Sequence, residues 1–119
     1  MKLERELMRG TGPTAVLQLL STGEMYGYEL VEQLARQSGN VLAMGQSTLY
    51  PMLYNLEAKG LVKGEDRTAS NGRRRRYYHL TAKGKKKLIT DKEQWTAVND
   101  ALTKLGVINP AGIANLGAI

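Results

Sequence analysis

The chain contains no cysteine and no phenylalanine, and only one histidine and one tryptophan. Without cysteine there is neither a disulfide framework nor a thiolate metal centre. His79 alone leaves too few ligands for an ordinary transition-metal site, so no metal or other cofactor is expected. Long apolar runs are also missing. Ala15-Val16-Leu17 and Leu19-Leu20 fall far short of the roughly 20 residues that a membrane-spanning helix needs. Met1 to Glu6 mixes charges and lacks the apolar core of a signal peptide, so a cytoplasmic location is expected. No paired carboxylates, nucleophile–histidine arrangement or phosphate loop is visible, and an enzyme is not expected.

What is present is charge in one place. The net charge is +6 over 119 residues, but residues 61–87 alone hold ten Lys/Arg against Glu65 and Asp66. The flanking stretches are each slightly acidic. A basic patch of this kind selects polyanionic partners. With 42% apolar residues, the chain has a thin core for one small domain, and such domains often gain stability by burying surface against a second copy.

Apolar spacing lays out the elements. A first helical segment runs from about Lys2 to Ser21, but Gly10, Gly12 and Pro13 interrupt it. Proline is best tolerated in a first helical turn, so the helix proper is expected to begin near Thr11, behind an arm or kinked extension. A second helix, about Tyr26 to Gln37, puts Leu30, Val31, Leu34 and Ala35 on one face. Ser47 reads as the N-cap of a third helix that ends at Gly60. Stepping 100° per residue from Leu53 places Leu49 and Leu56 inside, and Ser47, Thr48, Pro51, Tyr54, Asn55, Ala58 and Lys59 outside. That outer face is small or polar, suited to entering a groove.

Leu61 to Thr68 and Arg74 to Leu80 read as two strands around a turn of Ser70, Asn71 and Gly72. Thr81 caps a fourth helix, along which Leu88, Trp95, Val98, Leu102 and Leu105 recur at spacings of 7, 3, 4 and 3. This is a heptad seam for a dimer, interrupted once near Asp91. The fold class is therefore mainly α with a β-hairpin wing (α+β): a winged helix-turn-helix over residues 1–80 and a dimerisation helix over 81–106. Residues 107–119, small, apolar and glycine-rich, read as a mobile tail or a short cap.

This order of elements suits double-stranded DNA. The third helix lies in the major groove and the wing reaches phosphates or the minor groove. Arg73, Arg74, Arg75 and Arg76 are the strongest local signal. Strand alternation puts Arg73 and Arg75 on one side and Arg74 and Arg76 on the other, so not all four contact one DNA backbone. Some of them serve equally well to keep an edge strand soluble. Ser47, Thr48 and Asn55 are candidate base or phosphate contacts, against helix capping for Ser47 and a solvated face for the other two. Tyr26, Tyr28 and Tyr50 are candidate phosphate donors, with structural packing as the competing explanation. Trp95 is either an interface anchor or a platform for a ligand. Met8, Met25, Met44 and Met52 read as core filler.

Several of these segments together resemble the PadR-like family of transcriptional regulators, in the branch with a single C-terminal dimerisation helix. They are Tyr26-Gly27-Tyr28-Glu29, Ser47-Thr48-Leu49-Tyr50-Pro51, Leu56-Glu57, Gly60-Leu61 and the run from Gly72 through Arg73 to Arg76 to Thr81, followed by Gly84. The resemblance covers about residues 5–87. It implies a homodimer that represses genes from a pseudo-palindromic operator and is released by a planar hydrophobic or phenolic effector. It also implies that Trp95, with Val98 and Leu102, lines an effector site at the dimer interface. Gly12-Pro13 departs from the continuous first helix usual in the family, and the apolar tail has no counterpart in it. The alternative function is a winged-helix protein-interaction or effector-sensing module without an operator of its own.

Overall fold

The computed structural model describes residues 1–109. Met1–Leu88 form one compact unit, and a second begins at Ile89. The first unit contains α1 (Arg5–Ser21), β1 (Met25–Tyr26), α2 (Gly27–Gln37), α3 (Gln46–Ala58), β2 (Val62–Thr68) and β3 (Arg74–Leu80). It also holds the opening turns of α4 (Ala82–Leu105), whose remainder belongs to the second unit. The stretch expected as a tail falls mostly on residues 110–119, outside the described residues.

The core of the first unit draws on every helix in it. Val16, Leu17, Leu19 and Leu20 of α1 join Leu30 and Leu34 of α2 and Leu49, Leu53 and Leu56 of α3. Leu61, Val62, Tyr78 and Leu80 close it from the wing root. The i, i+4, i+7 spacing of Leu49, Leu53 and Leu56 is what commits one face of α3 to this core. Ser47, Thr48, Tyr54, Asn55, Ala58 and Lys59 are left outside, as the 100° rotation predicts. The helix stops at Gly60, whose φ of +75° lets the Leu61 N–H reach back to the Leu56 carbonyl at 3.0 Å.

Four expectations are corrected. First, α1 is continuous through Gly12 and Pro13 rather than beginning there. At Gly12 a Cβ would lie 2.7 Å from Cε of Met52 on α3, so the end of that methionine side chain fills the space beside the glycine. Pro13 stands inside the helix, at the cost of one backbone hydrogen bond and of crowding between its ring and the carbonyl of Arg9. Secondly, Ser47 is not the cap of α3. Gly45 is the N-cap, with extended backbone, and Ser47 lies within the first turn.

Thirdly, the sheet has three strands in the order β1-β3-β2, all antiparallel. Two residues are too few for a periodicity to register, so β1 escapes sequence reading. Pairing of Met25 with Tyr78 and Tyr26 with Tyr77 ties the start of α2 to the wing. Fourthly, Leu88 is no interface residue. It is only 5% exposed and belongs to the core of the first unit, with almost no surface left for a partner.

Thr81 caps α4 as its residue type predicts. Its hydroxyl accepts the Gly84 N–H at 3.0 Å and donates to the Gly60 carbonyl at 2.7 Å. One side chain thus joins the start of α4 to the end of α3.

In the second unit α4 continues to Leu105. Trp95, Val98 and Leu105 are 39%, 46% and 77% exposed, while Leu102 is half-buried. Their 3, 4, 3 spacing therefore forms an apolar stripe that is open among the described residues.

Candidate nucleic-acid interface

Two surfaces of the first unit meet the requirements set by the sequence: the outer face of α3 and the basic side of the wing. Near the start of α3, Ser47 and Thr48 are exposed, and Asn55 is exposed two turns on. Tyr54 is 60% exposed, and its ring stacks on that of Tyr50 at 6.4 Å between centroids. Tyr50 itself packs against the core.

The N-terminus of α2 is built by the Tyr26-Gly27-Tyr28-Glu29 segment. Tyr26 has the extended backbone of an N-cap, and its N–H donates to the Glu29 carboxylate at 3.2 Å. Gly27 is required by Tyr50. A Cβ at position 27 would sit 2.6 Å from the Tyr50 phenol oxygen, so the glycine lets α3 press its tyrosine onto the first turn of α2. Tyr28 points outward and is 50% exposed.

The wing is a regular hairpin. β2 and β3 pair from Val62–Leu80 to Thr68–Arg74. At the tip, the Ala69 N–H donates to the Arg73 carbonyl at 2.7 Å, with Gly72 at φ +83° to make the turn. Arg73 therefore stands one residue before β3, its carbonyl paired with Ala69 across the hairpin.

The four arginines have three kinds of surroundings. Arg73 and Arg74 are exposed, and among the described residues neither guanidinium has an ion-pair partner. Arg75 is half-buried, with its guanidinium 4.3 Å from the centroid of the Tyr26 ring. Arg76 is turned inward, bonded to Glu57 at 2.7 Å and to Asp66 at 3.2 Å. Burial works against the Arg76 charge, but the bonds to Asp66 and Glu57 outweigh it and hold its pKa above the usual guanidinium value.

A cleft of about 550 Å³ joins these parts, lined by Tyr26, Gly27, Tyr28, Gln46, Tyr50 and Arg73 to Arg76. The first turns of α2 and α3 both border it through Gly27 and Gln46, and helix N-termini carry partial positive charge. The cleft is thus cationic on its wing side and phenolic at its base. Such a surface attracts phosphate groups. Ser47, Thr48 and Asn55 do not line it.

Sequence reading passed over three features here. Gln46 carries no signal of its own. Glu57 sits at the end of α3 and looks like any solvated acid. Arg67 donates two hydrogen bonds to Glu24 and one, at 3.0 Å, to Glu65, and it lies 5.1 Å from the Tyr77 ring. Those bonds from Arg67 lower the Glu24 pKa below the usual carboxylate value. Only the opposite signs of Glu24, Glu65 and Arg67 hinted at such pairing.

Comparison with known proteins agrees with this geometry. Residues 16–90 match the model of the transcriptional regulator PadR-like family. The chain belongs to that family. A transcriptional regulator of Mycobacterium tuberculosis is 35% identical over 88 residues, spanning 74% of this chain and 78% of that protein. Among solved structures, a PadR family transcriptional regulator from Eggerthella lenta is 35% identical with a TM-score of 0.75, covering 87% of this chain and 88% of that one. A transcriptional regulator from Clostridium thermocellum is 27% identical with a TM-score of 0.77, covering 86% and 96%.

Family membership makes this PadR-like chain a transcriptional regulator, not an enzyme, and DNA binding goes with it. The winged-helix fold is that of the PadR-like structures, with the wing hairpin forming part of a three-stranded sheet. No described helix is long and apolar enough to cross a membrane.

Proposed function

We propose that this PadR-like regulator is a homodimeric repressor that sits on a pseudo-palindromic operator and leaves it when a planar hydrophobic or phenolic effector binds. The observation that carries the DNA-binding part is the unpaired state of Arg73 and Arg74, beside a cleft bordered by two helix N-termini. Phosphates seated there, near Tyr26, Tyr28 and Tyr50, fix the register of α3 in the major groove. Ser47, Thr48 and Asn55 then face base edges, and the wing supplies affinity rather than sequence reading. Such a regulator works in the cytoplasm, where its operator is.

The dimer is supported by the open stripe of Trp95, Val98 and Leu105, an apolar surface that a second copy covers. Two-fold symmetry then sets the spacing of the operator half-sites. Selection from random duplexes tests the reading: it should enrich a pseudo-palindrome, and sedimentation should give a dimer. Failure to enrich any sequence would favour instead a protein-interaction module.

Replacing Thr48 or Asn55 with alanine is expected to change the selected sequence at particular positions. Loss of a good base contact costs about 1–3 kcal/mol of discrimination there. A uniform weakening with unchanged preference would assign these side chains to phosphates.

Trp95 supports the effector reading, because a half-exposed indole on the seam stacks readily on a flat ring, with the partner's Trp95 on its other side. As the only tryptophan, it reports directly. A panel of planar aromatics should contain one that quenches its emission and lowers operator affinity in parallel. If none does either, the effector does not bind at Trp95.

A further inference from the structure

Charge alone assigns Arg76 to DNA, together with the three arginines before it. Its contacts point elsewhere. Its Nη2 donates to Glu57 Oε2 at 2.7 Å, and its Nη1 to Asp66 Oδ1 at 3.2 Å. Asp66 lies directly across the hairpin from Arg76, so this second bond is a cross-strand pair. Glu57 belongs to the last turn of α3, on another element. The same Oε2 also accepts the Gly64 backbone N–H at 3.2 Å. One carboxylate of the groove-facing helix therefore holds both strands of the wing.

Gly64 leaves room for this crossing. Its φ is not in the left-handed region, so no turn demands a glycine there. A Cβ at position 64 would lie 2.7 Å from Cζ and from Nη2 of Arg76. The missing side chain is the opening through which the guanidinium reaches Glu57. Beneath it, the Tyr78 ring lies 5.8 Å from the guanidinium and is almost wholly buried. On the other face of β2, Arg67 ties the hairpin to Glu24 ahead of β1. The wing is thus held from both faces by arginines that spend their charge on the protein.

We propose that Arg76, Glu57 and Gly64 are positioning residues that fix the angle of the wing relative to α3, and that Arg76 does not contact DNA. The consequence for binding rests on the operator reading above. Helix and wing must reach adjacent parts of one duplex together, and a free wing has to be ordered at the moment of binding. Half-exposed ion pairs add little to fold stability, so the brace shows itself in binding rather than in melting.

The sign of one effect decides the matter. Glu57→Gln removes a negative charge beside a polyanion, which by electrostatics alone tightens binding. The brace predicts the reverse. Glu57→Gln, Arg76→Gln and Gly64→Ala should each weaken operator binding about tenfold, and the Glu57→Gln/Arg76→Gln double variant should be no weaker than either single one. The salt dependence of Arg76→Gln should keep the parent slope, whereas Arg74→Gln should lower it by about 1 for each phosphate no longer neutralised. Tighter binding by Glu57→Gln, or a reduced slope for Arg76→Gln, overturns the proposal.

A second measurement needs no DNA. The absence of cysteine allows spin labels at Ala58→Cys and Ser70→Cys, both exposed, with labelled protein diluted into unlabelled protein. The parent should give one narrow distance distribution, and Glu57→Gln a broad one. An equally narrow distribution in both overturns the brace. A narrow parent and a broad variant, in a protein that selects no DNA sequence, would retain the brace and discard the operator reading.

Discussion

Between 50 and 200 mM salt, affinity for the operator is expected to fall about 10³–10⁵-fold, the loss for a protein that neutralises about 6–10 phosphates. In the proposed dimer, Arg73 and Arg74 of each wing would supply part of that number, and the exposed Lys85 near the start of α4 would add to the field. Each phosphate neutralised releases condensed counterions, and the gain shrinks as bulk salt rises. Replacing Arg73 and Arg74 together should weaken binding to all sequences alike and flatten the slope by about 1 for each phosphate left without its arginine. Binding to the selected operator that stays constant over this range would rule out phosphate neutralisation as the source of affinity. The arginine pair differs from the one that strand alternation suggests, because Arg75 is engaged with Tyr26.

Two glycines in helices should respond to alanine with opposite signs. Gly84 lies in the first turn of α4, where a Cβ would overlap the Leu61 carbonyl oxygen and sit 2.7 Å from Leu80 Cδ1. That carbonyl cannot easily retreat, since it accepts the Thr81 N–H at 3.1 Å. Alanine ordinarily favours a helix by about 0.5–1 kcal/mol over glycine. Here the overlap wins, and Gly84→Ala should lose about 1–3 kcal/mol, as forced overpacking does. Gly10, in α1, has nothing within 4 Å of its Cβ position. Gly10→Ala should therefore gain about 0.4–1 kcal/mol. Thermal melts at one fixed protein concentration would separate the two, because each kcal/mol moves Tm by about 4–8 °C in a domain of this size. A stabilised Gly84→Ala would mean that α4 does not pack on Leu61 in this way.

Sequence reading worked where one element reports its own surroundings. Leu49, Leu53 and Leu56 mark the inner face of α3 because a helix repeats every 3.6 residues and only one face meets the core. The hairpin followed from two β-rich runs around Ser70-Asn71-Gly72, and Thr81 as a cap from its hydroxyl. It failed where the reason for a residue lies on another element. Gly12 looked like a break in α1, yet it is the seat of Met52. Leu88 matched the heptad of the seam, but the core of the first unit takes it.

The basic wing belongs to both categories. Composition and order alone determined that this chain is a winged helix with a polar outer face on its third helix and its positive charge gathered on the hairpin. Residue type and period suffice for that, since charge clusters and amphipathic faces are properties of a contiguous stretch. Only the tertiary structure decided which arginines remain available. Arg73 and Arg74 stay open, Arg75 lies on Tyr26, and Arg76 is consumed by Glu57 nineteen residues earlier in the chain. An ion pair between elements depends on how they are folded together, and no local pattern records that distance.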